Sequence, residues 1–407
     1  ADVIILDHHE PKSALPDCTA VVNPKISDEC ALRYLCSVGI VFKVCHALLK
    51  TRPVASFDLK SHLDLVALGT VADIVPLEGE NRTLVHRGLR QIAGSNRPGV
   101  RKLMELAGVR PPICADDIGF RLGPRLNAAG RLDTAEKALR LLLTHDEAEA
   151  NELATSLDVQ NRERQQVEKE ICAAAEEQVA QTFQPSRDAA IVVGGRNWHP
   201  GVLGIVASRL MRKYHRPAIV IGLDEQGLGK GSGRSIDGLS LVEALGRCER
   251  WLEKFGGHEM AAGLALREVN FASFAADFRS AAREILTEEA LQARLHLDHE
   301  LMLSQLNRDL LQWHEMLQPF GSGNPQPTFF ARAVEPTVTP QVLKERHLVL
   351  RLRQRNHHAR AIFFGGAAEP LPTPPWDVAF RIQADEYQGE VRLQMHVQAL
   401  RAAHGSH

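Results

Sequence analysis

The sequence is poor in aromatics, has no long apolar run, and lacks the cysteine pairs of a metal ribbon. Phe, Trp and Tyr together make up 5% of its 407 residues, so its cores must be assembled from Leu, Val, Ile and Ala. No apolar stretch approaches the ~20 residues of a membrane-crossing helix, which argues against an integral membrane protein, and no membrane partner is expected. The seven cysteines are odd in number and form no CxxC pair. Neither a disulfide framework nor a zinc ribbon is therefore expected, and a reducing, cytoplasmic setting fits best. Charge of one sign is missing too: 48 Lys+Arg face 50 Asp+Glu, so basic surface has to be sought locally. What is present, 44% hydrophobic and 24% charged residues, is the composition of a globular protein. At about 100–200 residues per domain the length implies two to four domains.

The chain opens on Val3-Ile4-Ile5-Leu6, followed by Asp7-His8-His9-Glu10. This pattern predicts a buried parallel strand with polar residues at its carboxyl end. Such a strand normally follows earlier βα units, so the chain is expected to be a fragment or to begin inside its gene. Leu59, Leu63 and Val66 predict a helix running toward Ala72-Asp73, with Pro76 as its stop. Thr144-His145-Asp146-Glu147 is a capping-box pattern, and no Gly or Pro follows until Pro185. Because Asp158 to Gln166 is almost entirely polar, a long linker helix bridging through solvent is expected there. From Ala189 a second α/β pattern begins. Ile191-Val192-Val193 and Ala218–Ile221 read as strands, Gly201–Tyr214 and the region Leu241–Phe255 as helices, and the glycine-rich stretch 227–234 as a loop. After about residue 291 short alternating stretches predict a small barrel of the OB type. The expected fold class is thus α/β, with a parallel-sheet domain at 1–140, a linker helix at 141–186, a second α/β domain at 187–290 and an OB-type β-barrel at 291–407.

Several residues could carry chemistry. Asp7-His8-His9 follows a strand, where ligands bind in open α/β sheets. It is either a polar turn or a group for a divalent ion. Asp73 is flanked by apolar residues, so it is either a helix-end charge or a ligand buried with its ion. Gly123–Arg131 puts Arg125, Asn127 and Arg131 among small residues, either a turn with solvated arginines or a phosphate site. His199 precedes a helix start, Ser232 and Arg234 lie in a glycine-rich stretch that could form a nest of backbone N–H groups, and Gly257-His258 lets backbone approach a ligand. In the last segment Lys344, Arg346, Arg351, Arg353, Arg355 and Arg360 cluster with Glu345 as their one local opponent. They suit single-stranded nucleic acid, or else protect an exposed edge strand.

Taken in order, these motifs resemble the DHH phosphoesterase superfamily and, within it, the RecJ family of single-stranded-DNA exonucleases. Asp7-His8-His9 matches the motif that names the superfamily, and Gly69–Leu77 its next motif. Arg125–Arg131 matches RLNAAGR. Trp198–Leu210, Gly231–Ser235 and Gly256–Gly263 match a DHHA1-type domain, and Pro319–Pro325 resembles the entry to the family's OB domain. The resemblance implies two divalent ions, Mn²⁺ or Mg²⁺, in a cleft between the first two domains. His8 and Asp73 would be ligands, Asp7 would support the site, and His9 would sit at the scissile phosphate. Arg125, Asn127, Arg131, His199, Ser232, Arg234, Gly257 and His258 would grip the DNA, and Arg351, Arg353 and Arg355 would hold it on the barrel. The implied activity is 5′→3′ release of 5′-mononucleotides from single-stranded DNA in recombination and repair, with a single-strand-binding protein and a helicase as partners.

One departure stands out. The superfamily's two aspartate motifs that precede DHH are absent from this sequence, so residues 1–407 alone are expected to bind single-stranded DNA weakly without degrading it. Two other readings compete: a different DHH-family oligonucleotide phosphodiesterase, against which residues 291–407 argue, and a catalytically inert DNA-binding scaffold.

Overall fold

Every strand in this chain must find a partner edge, and the pairings sort it into one small parallel sheet, one mixed sheet and one barrel. The computed structural model describes residues 1–11, 14–132, 134–368, 370–387 and 390–403; at 131, 132, 386, 387, 390 and 391 it describes backbone alone. The chain divides into two units. One comprises Ala1–Ser95, Val109–Gly123 and Leu295–His407, the other Asn96–Gly108 and Pro124–Arg294. No helix among the described residues is long and apolar enough to cross a membrane.

In the first unit, strand Ile4–Leu6 pairs in parallel with Ala20–Val22, and Asp7-His8-His9 follows at its carboxyl end. The expected burial is not found: Ile4 is 63% exposed, because among the described residues the strand is paired along one side. Helix Leu63–Ala72 packs against helices Ser37–Thr51 and Gly79–Ala93 around Leu63, Val66, Leu84, Val38 and Phe42. Glycine sets both contacts. A Cβ on Gly69 would meet Val38 Cγ1 at 2.7 Å, and one on Gly88 would meet the Leu63 carbonyl oxygen at 2.3 Å. Helix Leu63–Ala72 ends at Asp73, and Ile74 follows with φ 60°.

The barrel belongs to the same unit. Strand Phe329–Pro336 pairs with His347–Gln354, which pairs with His357–Phe363. That strand runs parallel to Glu390–Ala402, which pairs with Trp376–Tyr387, and this last strand returns to Phe329–Pro336. Five strands therefore close a ring, as the alternating pattern predicts. Leu348, Leu350 and Leu352 point inward with Val334, Phe380, Met395 and Val397, so Arg351 and Arg353 point outward.

The second unit holds a five-stranded mixed sheet in the order Ile191–Arg196, Ala218–Leu223, Leu228–Arg234, Ala261–Arg267, Leu252–Gly257. Its first two strands are parallel. Val192, Ile219 and Ile221 face one way, toward Phe274 and Phe278 of helix Phe271–Ile285. Ile191, Val193 and Val220 face the other, toward helix Pro200–Tyr214 and the end of helix Glu147–Thr182.

Four local expectations are corrected. The stretch 227–234 is mostly strand and not a loop: its glycines fit because Ile221, Ile219 and Leu264 fill the space a Cβ would take at Gly231 and Gly233. Gly123–Leu132 is helical, with Ala128 and Ala129 buried. The helix begun at Leu241 stops at Arg247, and Leu252–Gly257 is a strand. Helix Glu147–Thr182 is capped by Asp146, whose side chain accepts from Glu149 N. Its polar middle is solvated on one face alone: Arg162, Glu163, Gln165 and Gln166 are exposed, but Asp158, Asn161, Arg164 and Glu168 are buried. They are neutralised in place: Arg125 and Arg162 pair with Asp158, and Arg164 and Arg209 pair with Glu168.

Candidate functional site

The strand end and the helix end meet at His8. Its Nε2 lies 3.1 Å from Asp73 Oδ2. On the other side of the ring, Nδ1 accepts the Ser37 backbone N–H at 3.1 Å and lies 2.9 Å from Ser37 Oγ. Ser37 opens its helix, whose first N–H groups have no intrahelical partner. One of them is spent on this imidazole. The close approach allowed by Gly69 brings that helix beside the one ending at Asp73. His9 stacks on His8 with ring centroids 4.4 Å apart, and its Nδ1 lies 2.7 Å from Asp7 Oδ1. That hydrogen bond holds the Asp7 carboxyl below its ordinary range. Asn23 Nδ2 donates to the His9 carbonyl and fixes the turn.

Asp7, His8 and His9 each offer a donor atom, all within 4.8 Å of one another. A carboxylate with two imidazoles, joined by the Asp73 carboxylate, is a donor set suited to Mn²⁺, and the carboxylates also suit Mg²⁺. The residues present therefore fit such an ion. The expected inactivity of residues 1–407 finds no support, since a donor group is assembled here.

The phosphate candidates lie in the second unit. Arg125 Nε donates to Asp158 Oδ1 at 2.9 Å, so it is tied into the buried network of the long helix. Asn127 is exposed on the same helix as Arg125, and the side chain of Arg131 lies outside the described residues. His199 caps helix Pro200–Tyr214: its Nδ1 accepts the Gly201 N–H, which leaves the proton of the neutral ring on the exposed Nε2. Ser232 and Arg234 sit on one face of their strand, with Arg234 Nη1 3.2 Å from Ser232 Oγ. A Cβ on Gly204 would lie 3.0 Å from both. The expected nest is replaced by extended strand, so these two side chains, and not backbone N–H groups, are what the segment offers. Gly257, at φ 150°, makes room for its own hairpin, because a Cβ would meet the Ala261 carbonyl oxygen at 2.4 Å. His258 is exposed in the turn that follows.

On the barrel, Arg351 and Arg355 are exposed and make no ion pair among the described residues. Arg353 pairs with Glu335 and Arg360 with Asp385. The basic strand is therefore opposed by more than Glu345, by carboxylates far away in sequence. Sequence reasoning missed Ser37, which carries no signal beyond opening a helix, and the buried Asn81, whose amide donates to the carbonyls of Tyr34 and Pro76.

Comparisons with known proteins cover most of the chain. Residues 1–70 match the DHH family N-terminal domain, 187–288 the DHHA1 domain, and 297–399 the RecJ OB domain. The single-stranded-DNA-specific exonuclease RecJ of Bacillus subtilis is 42% identical over 330 residues, covering 80% of this chain and 41% of that protein. The same-named protein of Dickeya dadantii is 36% identical over 426 residues, covering 98% of this chain and 73% of its own length. The solved structure of RecJ in complex with Mn²⁺ from Thermus thermophilus superposes with a TM-score of 0.85 at 33% identity, covering 99% of this chain and 58% of that one. A companion structure of the Thermus protein contains Mg²⁺. The chain thus spans less than half of the Bacillus relative and nearly three quarters of the Dickeya one. With its DHH, DHHA1 and OB domains in sequence, this chain belongs to the RecJ family of single-stranded-DNA-specific exonucleases.

Proposed function

We propose that this protein hydrolyses single-stranded DNA in the 5′→3′ direction with divalent ions and releases 5′-mononucleotides. The observation that carries the reading is the convergence of Asp7, His8 and Asp73, with His8 Nε2 3.1 Å from Asp73 Oδ2. His8 and Asp73 would hold a divalent ion, which activates water and draws charge from the leaving oxygen when bound. Asp7 orients His9 through Nδ1. With Nδ1 donating to Asp7, the exposed Nε2 of His9 can take up a proton in the neutral ring and donate to a phosphate oxygen once the ring is protonated. Ser232, Arg234 and His199 suit the DNA backbone and its 5′ end, with Asn127 beside them in role. Arg351 and Arg355 suit phosphates along the barrel. Single-stranded DNA is the partner this arrangement implies.

The test is degradation of a uniformly labelled single strand and of a 5′-labelled one, with Mn²⁺ or with a chelator. The labelled 5′-mononucleotide should be the first product, and Asp73→Asn should abolish its release. First release from the 3′ end would overturn the direction. Equal turnover of a dinucleotide and a long strand would favour a short-oligonucleotide phosphodiesterase. DNA binding without hydrolysis would favour the scaffold reading.

A further inference from the structure

The loop that follows Asp73 is held by residues more than 200 positions away. Leu77 N donates to the Ser322 carbonyl at 2.6 Å, and Arg82 Nη2 donates to the Leu317 carbonyl at 2.8 Å. The turn that makes these contacts is closed on itself. Gly321 and Asn324 exchange backbone hydrogen bonds, and Asn324 Nδ2 donates to the carbonyls of Leu317 and Pro319. From within the same domain, Asn81 Nδ2 donates to the Pro76 carbonyl at 3.0 Å.

The fit requires glycine. A Cβ on Gly323, whose φ is +73°, would lie 2.9 Å from Pro76 Cβ and 2.7 Å from Glu78 Oε1. One on Gly321 would lie 2.7 Å from Leu77 Cδ1. Between this turn and Asp73 lies Ile74, a β-branched residue at φ 60°. Such a conformation persists where surrounding contacts over-determine it. Upstream the chain is fixed by Asp73 N and Ile74 N donating to the Gly69 and Val71 carbonyls; downstream it is fixed at Pro76 and Leu77.

We propose that the Gly321-Ser322-Gly323 turn at the barrel entry is a positioning element for the metal-holding carboxylate of Asp73, so that the barrel domain sets the geometry of the hydrolytic site as well as holding DNA. The inference rests on the reading of Asp73 as a metal-holding residue. A displaced Pro76 or Leu77 relaxes Ile74 and swings Asp73 away from His8.

The decisive variant is Gly323→Ala, with Gly365→Ala as its control. Gly365 has φ +77° in the same domain, and a Cβ there meets nothing within 4 Å, so it carries the same backbone penalty without the contact. Arg82→Ala loosens the turn without altering glycine and serves if Gly323→Ala does not fold. Four measurements are made: amide exchange at Leu77 without metal, Mn²⁺ affinity by calorimetry, kcat and KM on a dinucleotide and on a long strand, and affinity for the long strand without metal. Gly323→Ala should speed Leu77 exchange at least tenfold and weaken Mn²⁺ binding by about tenfold, the scale for residues that orient metal ligands. It should lower kcat alike on both substrates while metal-free DNA affinity stays unchanged. Gly365→Ala should match the unsubstituted protein. Mn²⁺ affinity within twofold of that protein, equal effects of the two glycine variants, or a loss confined to DNA affinity would each overturn the proposal. If the unsubstituted protein binds Mn²⁺ but hydrolyses nothing, the proposed function fails, while the exchange and affinity comparisons still decide the role of the turn.

Discussion

The Ser37 backbone N–H points at His8 Nδ1 from 3.1 Å, while Nε2 of the same ring faces Asp73. One helix start thereby sets the orientation of an imidazole whose far side meets the end of another helix. An ion held on Nε2 leaves the ring proton on Nδ1, where the Ser37 hydroxyl is the acceptor 2.9 Å away, and partners that take the second ring N–H are worth roughly 10–100-fold in metal affinity. Ser37→Ala, which keeps the N–H but removes the hydroxyl at 2.9 Å, should weaken Mn²⁺ binding by about tenfold. Calorimetric titration with Mn²⁺ checks this; unchanged affinity would mean that the Ser37 hydroxyl does not orient the ring.

End recognition is tested at Arg234. Its guanidinium and the Ser232 hydroxyl share one strand face. Charge-assisted hydrogen bonds are worth about 1.5–3 kcal/mol. Arg234→Ala should therefore lower kcat/KM on 5′-phosphorylated strands by roughly 10–150-fold, and on 5′-hydroxyl strands by much less. Equal losses would place Arg234 on the backbone generally.

Barrel binding should be carried by Arg351 and Arg355 more than by Arg353, which is already paired with Glu335 at 2.6 Å. Each phosphate contact on a single strand contributes about 0.7 to the log–log salt slope, so neutralising Arg351 and Arg355 together should flatten that slope by about 1.4. Neutralising Arg353 should change it less. The slope is read from DNA binding at a series of salt concentrations without divalent ions.

The buried network predicts a stability effect remote from chemistry. Asp158, buried on the long helix, accepts from Arg125, itself largely buried, and from the exposed Arg162. Removing one partner of a buried pair leaves an uncompensated charge and costs about 3–5 kcal/mol. Asp158→Ala should lower the stability of the second unit by that order in urea unfolding, with Mn²⁺ affinity at Asp73 unchanged.

The extent to which all this is legible in the sequence depends on how local each cause is. Asp7-His8-His9 at a strand end and Asp73 at a helix end follow from patterns a few residues long, and strand alternation announces the barrel. Glycine misleads where its reason is packing. Gly231 and Gly233 are strand residues because Ile219, Ile221 and Leu264 need the room, a requirement that shows only once the strands carrying these partners are paired. Polarity misleads at Asp158 and Glu168 for the same cause: each has one counter-ion a turn away, Arg162 or Arg164, but the second, Arg125 or Arg209, comes from another helix. Ser37 and Asn81 act through pairs of hydrogen bonds that reach His8 and Tyr34, 29 and 47 positions away, and nothing beside them in the sequence marks them.

The reach of the Asp73 loop also has a meaning in time. Its bond from Arg82 to the Leu317 carbonyl spans 235 positions, and chains are completed from the N-terminus at about 5–20 residues per second, so for roughly 10–50 seconds after Arg82 is made a growing chain lacks the turn that fixes this loop. The loop that follows Asp73 therefore gains its last contacts only after the barrel-entry turn has been synthesised, so the candidate ion site is among the late parts of the fold to be completed.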